Sequence, residues 1–239
     1  MLATRPAVLF DVDGVLLRSP AISKLVERRA AQFIQQRTKL PSSLAAAQVN
    51  RALYTTYGHT LIGARRVFRL DATVDEYNEY VYDNKFMEHC WHELATYRQT
   101  PAGAQARNVV QDLMQRSMPV YLFTNAPARW ANLVVDALAL DIDGRRCISS
   151  DVGVKPELET YAKVAKMVKK NDGARPILFV DDALKNLEPV LDAPNWRPCL
   201  FMPSNEVSNE TDSFWIGDVH VVRDLAEVGD VAASNLASA

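Results

Sequence analysis

The sequence predicts an α/β protein built on a doubly wound, mostly parallel sheet, with a helical module inserted after the first strand. Short apolar runs stop abruptly at acidic or hydroxyl residues, as buried parallel strands do when they deliver polar groups at their carboxyl ends. Helical patterns separate those runs, which implies βαβ units with helices on both faces. One long stretch, from about Pro20 to Tyr97, shows helical periodicity without a convincing strand.

In chain order, Ala7–Phe10 (AVLF) is the first strand, ending at Asp11-Val12-Asp13-Gly14. Within the long stretch, Leu25, Val26, Ala30, Phe33 and Ile34 form one apolar helix face, and Val74, Tyr77, Tyr80 and Val81 form another. Pro101 and Gly103 mark re-entry into the core, and a helix follows over Ala104–Arg116. The second strand is Pro119–Phe123, ending at Thr124-Asn125, and a helix over Arg129–Leu140 comes next. A third core helix, Pro156–Lys170, opens with proline in its first turn. Pro176–Val180 is a strand ending at Asp181-Asp182, and Arg197–Met202 is another, ending at Pro203-Ser204. Phe201–Trp215 reads as loop-rich, and Ala232–Ala239, small and polar, reads as frayed. The domain reading is therefore a discontinuous core, 1–17 with 98–239, interrupted by a helical unit over 18–97.

Composition narrows the function. Of 239 residues, 48% are apolar and 23% charged, enough to bury a core. A net charge of −2 lacks the basic footprint of a nucleic-acid binder, so no polymer partner of that kind is expected. No apolar run is long enough to span a bilayer, and Met1–Pro6 does not read as a signal peptide. Cys90, Cys147 and Cys199 are scattered and odd in number, which reads as reduced thiols in a cytoplasmic protein, monomeric or homodimeric.

In an open parallel sheet, ligands bind beyond the carboxyl ends of the strands. Asp11, Asp13, Thr124, Asp181 and Asp182 all lie just past such ends, so they should converge. Crowded carboxylates need a cation, and hard oxygen donors favour Mg²⁺, which takes one or two carboxylates together with water and substrate phosphate. Lys155, in Gly153-Val154-Lys155-Pro156, adds the positive charge that a phosphoryl group requires.

These motifs, in this order, resemble the haloacid dehalogenase superfamily of phosphohydrolases, and the helical insertion resembles that superfamily's cap. The resemblance implies a Rossmann-like core. It implies Asp11 as the nucleophile that forms an aspartyl phosphate, Asp13 as general acid and then base, and Thr124 with the Asn125 backbone N–H as phosphate ligands. Lys155 would offset the charge of Asp11 and the phosphoryl group. Asp11, Asp13 (through its backbone carbonyl), Asp181 and Asp182 would form the Mg²⁺ shell. Dehalogenases of the superfamily lack an acid at the position of Asp13, so this residue points to phosphoryl transfer.

Tyr54-Thr55-Thr56-Tyr57-Gly58-His59-Thr60-Leu61-Ile62-Gly63 is similar to a stretch of the pyrimidine 5′-nucleotidase branch, whereas Gly14-Val15 is closer to the sugar-phosphatase and mutase pattern. The expected substrate is a small phosphorylated metabolite such as a nucleoside monophosphate, with Tyr57, His59 and Arg65 as cap residues that select it. A sugar-phosphate phosphatase, a phosphomutase and a non-catalytic binding protein of the same fold are the alternatives. Asp141-Ile142-Asp143-Gly144 repeats the first motif after a helix and reads as a connecting loop. His89, Cys90, His92 and Glu93 read as part of a structural helix, since Cys90 shares a face with neither histidine.

Overall fold

A computed structural model describes residues 5–203 and 214–234. Its seven strands form one sheet: β1 (Ala7–Phe10), β2 (Val120–Phe123), β3 (Cys147–Ile148), β4 (Ile177–Asp181), β5 (Trp196–Phe201), β6 (Phe214–Ile216) and β7 (Val219–Val222), in the order β3-β2-β1-β4-β5-β7-β6. Every pairing is parallel except β6 against β7. Strand order reverses beside β1, with β2 and β3 on one side and β4 onward on the other. The crevice outside the β1 and β4 carboxyl ends is thus the topological switch point, where such sheets bind ligands.

Between β1 and β2 lie six helices: α1 (Pro20–Thr38), α2 (Ser43–Tyr57), α3 (Thr60–Phe68), α4 (Val74–Val81), α5 (Asn84–Arg98) and α6 (Pro101–Gln115). Local chemistry starts them. The Ser19 hydroxyl caps α1, Ser42 caps α2, Thr73 with Glu76 closes a capping box on α4, and Thr100 caps α6 with Pro101 in its first turn. The cap at Thr100 begins α6 three residues earlier than Ala104, so Pro101 opens the helix and does not precede it. The remaining helices are α7 (Ala128–Leu138), α8 (Leu158–Asp172), α9 (Leu184–Leu187) and α10 (Glu227–Ser234).

Successive strand residues face opposite sides, and two apolar clusters result. Val8, Phe10, Val120, Leu122, Leu178 and Val180 join the face that carries α6, α7, α10 and the α1–α5 helices. Ala7, Leu9, Tyr121, Phe123 and Phe179 pack against α8 on the other. The first cluster runs without a break from the sheet into α1–α5, through Trp130 wedged against Tyr82 and Phe86 at centroid distances of 5.8 and 5.2 Å. Polar ties reinforce this contact: Asn78 donates to the Ser150 hydroxyl at 2.8 Å, and Arg129 pairs with Glu79 at 2.8 Å.

Several expected boundaries move. Pro156 lies outside α8, which begins at Leu158: Lys155 and Pro156 form a separate turn closed by the Glu157 N–H on the Val154 carbonyl at 3.0 Å. Leu140 lies beyond α7, which ends at Ala139 in a left-handed conformation. Ala232–Ser234 continue α10, burying Ala232 against the core, while 235–239 lie outside the described residues. Of the stretch Phe201–Trp215, Phe201 ends β5 and Phe214–Ile216 form the edge strand, with 204–213 outside the described residues. Asp141–Gly144 is a loop, as expected, in which Asp143 caps a turn of 3₁₀ helix and pairs with Arg145. Among the described residues, no helix is long and apolar enough to cross a membrane, and all three cysteines are free thiols.

Candidate active site

Parallel register sets Phe10 beside Val180 and Leu122, so the residues after those positions arrive at one end of the sheet together. The Asp11 N–H donates to the Val180 carbonyl at 2.9 Å, which fixes Asp11 beside Asp181. Between them sits Lys155, only 1% exposed. Its Nζ lies 2.9 Å from Asp11 Oδ1 and 2.6 Å from Asp181 Oδ2. The ammonium also stands over the rings of Phe123 and Phe179, at 5.1 and 5.4 Å. Burial alone would lower its pKa, but Asp11 and Asp181 overcome that and push it up, so Lys155 remains a cation.

Backbone and amide groups hold this triad. Asp181 Oδ1 accepts from the Ala183 N–H at 2.9 Å and from Asn186 Nδ2 at 2.9 Å. Asn125 grips the Lys155 backbone: its Oδ1 accepts from the Lys155 N–H at 2.6 Å and its Nδ2 donates to the Lys155 C=O at 3.0 Å. The side chain of Asn125 therefore positions Lys155. Thr124 is buried after β2; its N–H donates to the Ile148 carbonyl at 3.0 Å, and its hydroxyl oxygen accepts from the Ala126 N–H at 3.1 Å. That bond leaves the hydroxyl proton free to donate.

Asp13 follows a tight loop in which the Gly14 N–H donates to Leu17 and the Leu17 N–H to Val12, at 2.9 and 2.8 Å. Its carboxylate accepts from the Trp130 indole N–H, with both oxygens at 3.1 Å. Burial raises its pKa to about 6, against the opposing pull of Trp130 and Lys155. Gly14 has φ of +99°, and a Cβ there would meet Asp182 Oδ2 at 2.0 Å, so glycine is what lets Asp182 close over the loop.

The carboxylates of Asp11, Asp181 and Asp182 have oxygens within 4.8 Å of one another. Burial raises Asp11 well above the usual carboxylate range, with Lys155 opposing and the other carboxylates adding to the rise. Asp182 still reaches solvent, yet desolvation and then Asp181 push its carboxyl to about 7. Three hard oxygen donors facing a single ammonium are a donor set suited to a divalent cation such as Mg²⁺. The Asp13 carboxylate is engaged elsewhere, by Trp130, and does not belong to that triplet.

Of the three residues expected to select substrate, Tyr57 is half-buried beneath the Arg66 guanidinium at 5.7 Å. His59 is buried before α3 against Tyr77, its Nδ1 without a partner. Arg65 is exposed and donates twice to the Ala72 carbonyl, at 2.8 and 2.6 Å, which makes it a tie within the insertion. Gly58, the next residue after Tyr57, sits where a Cβ would meet Pro156 at 3.0 Å, so the end of α2 rests on the Lys155 loop. From the preceding turn, Tyr54 feels Asp182, Asp11, Asp181 and Asp13, which after desolvation push its hydroxyl well above the usual range. Trp130 and Asn186 escaped the sequence reading, and Tyr54 entered it only as the start of the cap stretch, since each looks like an ordinary helix residue until the fold places it.

A family model described as haloacid dehalogenase-like hydrolase matches residues 6–192, well over half of the chain. The chain belongs to the haloacid dehalogenase-like hydrolase family. Solved structures agree with this hydrolase in fold over nearly its whole length. A HAD phosphatase from Thermococcus onnurineus is 15% identical, with 95% of this chain and 97% of the other covered, at a TM-score of 0.56. A HAD hydrolase of family IA, variant 3, from Entamoeba histolytica is 16% identical, with 97% and 98% covered, at 0.55. A dehalogenase described with an intermediate complex is 15% identical, with 97% and 98% covered, at 0.52. No curated protein matches the chain.

Proposed function

We propose that this hydrolase is a Mg²⁺-dependent phosphomonoesterase acting through an aspartyl phosphate, with residues 18–97 as a cap over the site. The observation that carries the reading is that two carboxylates two residues apart have different partners, a cation for one and a neutral donor for the other. Asp11 is bound by the Lys155 ammonium, as a nucleophile facing an anionic substrate must be. Asp13 is raised to about 6 and held by a neutral N–H, as an acid/base near neutral pH should be. A departing alkoxide needs such an acid, whereas a departing halide needs none.

Asp11, Asp181 and Asp182 would hold the cation, whose charge stabilises the phosphoryl oxygens when bound. The Asp11 carboxylate attacks phosphorus, the bond from phosphorus to the ester oxygen breaks, and Asp13 gives its proton to the departing alkoxide. Water then attacks the aspartyl phosphate, Asp13 takes its proton, and phosphate leaves Asp11 with its carboxylate restored. Thr124 donates its hydroxyl proton to a phosphoryl oxygen beside the Asn125 backbone N–H, and Lys155 balances charge throughout.

The favoured substrate is a nucleoside monophosphate, supported by the likeness of residues 54–63 to the pyrimidine 5′-nucleotidase branch and by Tyr54, which feels the charge of Asp182, Asp11 and Asp181. Phosphate release measured across nucleotides, sugar phosphates and small esters tests this. Nucleoside monophosphates should lead and chelator should silence the reaction. Asp11→Asn should abolish it while the fold survives; retained Mg²⁺-dependent turnover by that variant removes the nucleophile assignment.

A further inference from the structure

Trp130 is fully buried in the first turn of α7, and its one polar atom is directed at Asp13. An indole offers a single donor and no acceptor, so this bond satisfies it completely. The N–H is centred between the two carboxylate oxygens, both at 3.1 Å. A carboxylate has about four acceptor sites, so lone pairs remain for a proton or a leaving group. The ring has little freedom to turn, because Tyr82 and Phe86 flank it at 5.8 and 5.2 Å. On the other side of the bond, the Gly14–Leu17 loop fixes the Asp13 backbone.

We infer that Trp130 is the positioning residue for Asp13: its indole N–H holds the acid/base carboxylate at the spot where the leaving oxygen departs. The inference rests on the phosphomonoesterase reading for its catalytic part. Lys155 cannot serve this purpose, since its ammonium is occupied by Asp11 and Asp181. Among the described residues, Trp130 makes the only hydrogen bonds recorded for the Asp13 carboxylate.

Leaving-group dependence separates positioning from general support of the fold. Trp130→Phe keeps an aromatic ring and removes the donor. Turnover of a nucleoside 5′-monophosphate, whose alkoxide must be protonated, should fall about 100-fold. Attack on 4-nitrophenyl phosphate needs no proton for its leaving group, so its first step should keep its rate. Dephosphorylation still needs Asp13 as base, so nitrophenolate should appear in a pre-steady-state burst that the wild type lacks. Equal losses on both substrates without a burst, or unchanged rates on both, would overturn the inference.

A second measurement does not depend on that variant folding. Indole N–H resonances of Trp91, Trp130, Trp196 and Trp215 are compared between ¹⁵N-labelled wild type and Asp13→Ala. One of the four should move strongly; if none does, the bond is absent and the inference falls. Should the wild type release no phosphate from any ester, the phosphomonoesterase reading fails, and the resonance experiment still decides whether Trp130 holds Asp13.

Discussion

Lys155→Met is the perturbation that most directly probes how the site holds its charge. Methionine can follow the aliphatic stem between Phe123 and Phe179 while removing an ammonium that contacts Asp11 at 2.9 Å and Asp181 at 2.6 Å. The two carboxylates keep 10% and 0% exposure, so water cannot replace the lost partner. Breaking a buried pair by removing one member costs about 3–5 kcal/mol, against a typical total of about 5–15 kcal/mol. In chelator, the melting temperature should drop by about 10 °C for a chain of this size. Asp11→Asn added to Lys155→Met removes one of the stranded charges, so the double variant should recover at least about 1 kcal/mol relative to additivity. Saturating Mg²⁺ should raise Lys155→Met more than it raises the wild type, because binding to the folded state stabilises it. Since burial already raises Asp11 and Lys155 opposes the rise, the penalty should shrink as pH falls and the carboxylates take up protons. Thermal melts and urea unfolding, run across pH and with and without Mg²⁺, measure all of this. A variant that melts within 1–2 °C (about 0.5 kcal/mol by the same scaling) of wild type in chelator would refute the charge argument.

Other outcomes follow from single residues. Burial, and secondarily Arg65, lowers His59 from 6.5 to about 4, so the unfolded chain binds a proton that the folded one refuses. Its contribution is full above about pH 6.5 and lost as pH falls toward 4, worth about 3 kcal/mol; His59→Gln should flatten this part of the acid limb in thermal melts, and an unchanged limb contradicts it. Gly14→Ala places a methyl 2.0 Å from Asp182 Oδ2 at a φ of +99°, which should cost about 1–3 kcal/mol and weaken Mg²⁺ affinity by titration; wild-type values for both would show the loop yields. Arg65→Ala should lose about 1 kcal/mol from its bonds to Ala72 with KM unchanged, and a tenfold rise in KM would instead make it a substrate contact.

The chemistry of the core was readable because apolar strand ends expose their cargo. Asp11, Thr124 and Asp181 each follow such a run, and topology brings Lys155 among them. What escaped notice lacked a pattern. β3 has two residues, Cys147 and Ile148, too few to alternate, and it owes its pairing to β2. β7 carries Val219, Val221 and Val222, a signal that was present but was overshadowed by the polar residues before it. Trp130 reads as one more apolar residue of a helix face; whether its N–H has an acceptor depends on a loop more than a hundred positions away. Arg65 illustrates the converse, since a cation near a candidate motif reveals nothing of where its guanidinium group points. Pro156 has the residue type of a helix opener, yet it belongs to a turn closed by the Glu157 N–H on the Val154 carbonyl, which sets it before the helix start.

The central position of β1 also sets a timetable for synthesis. Its partners are Val120–Phe123 and Ile177–Asp181, so neither neighbour exists when Ala7–Phe10 leaves the ribosome. At a ribosomal rate of 5–20 residues per second, the first strand waits roughly 10–30 s for the second of them. The α1–α5 helices, with mostly local contacts, can form during that interval, while an apolar strand beside two aspartates remains unpaired. Asp11 meets Asp181 only once the chain has passed residue 181, so a shorter nascent chain would carry Asp11 without its neighbouring carboxylate. Stalling or truncation before residue 181 should therefore yield chains that engage chaperones through Ala7–Phe10, however well the helices have folded.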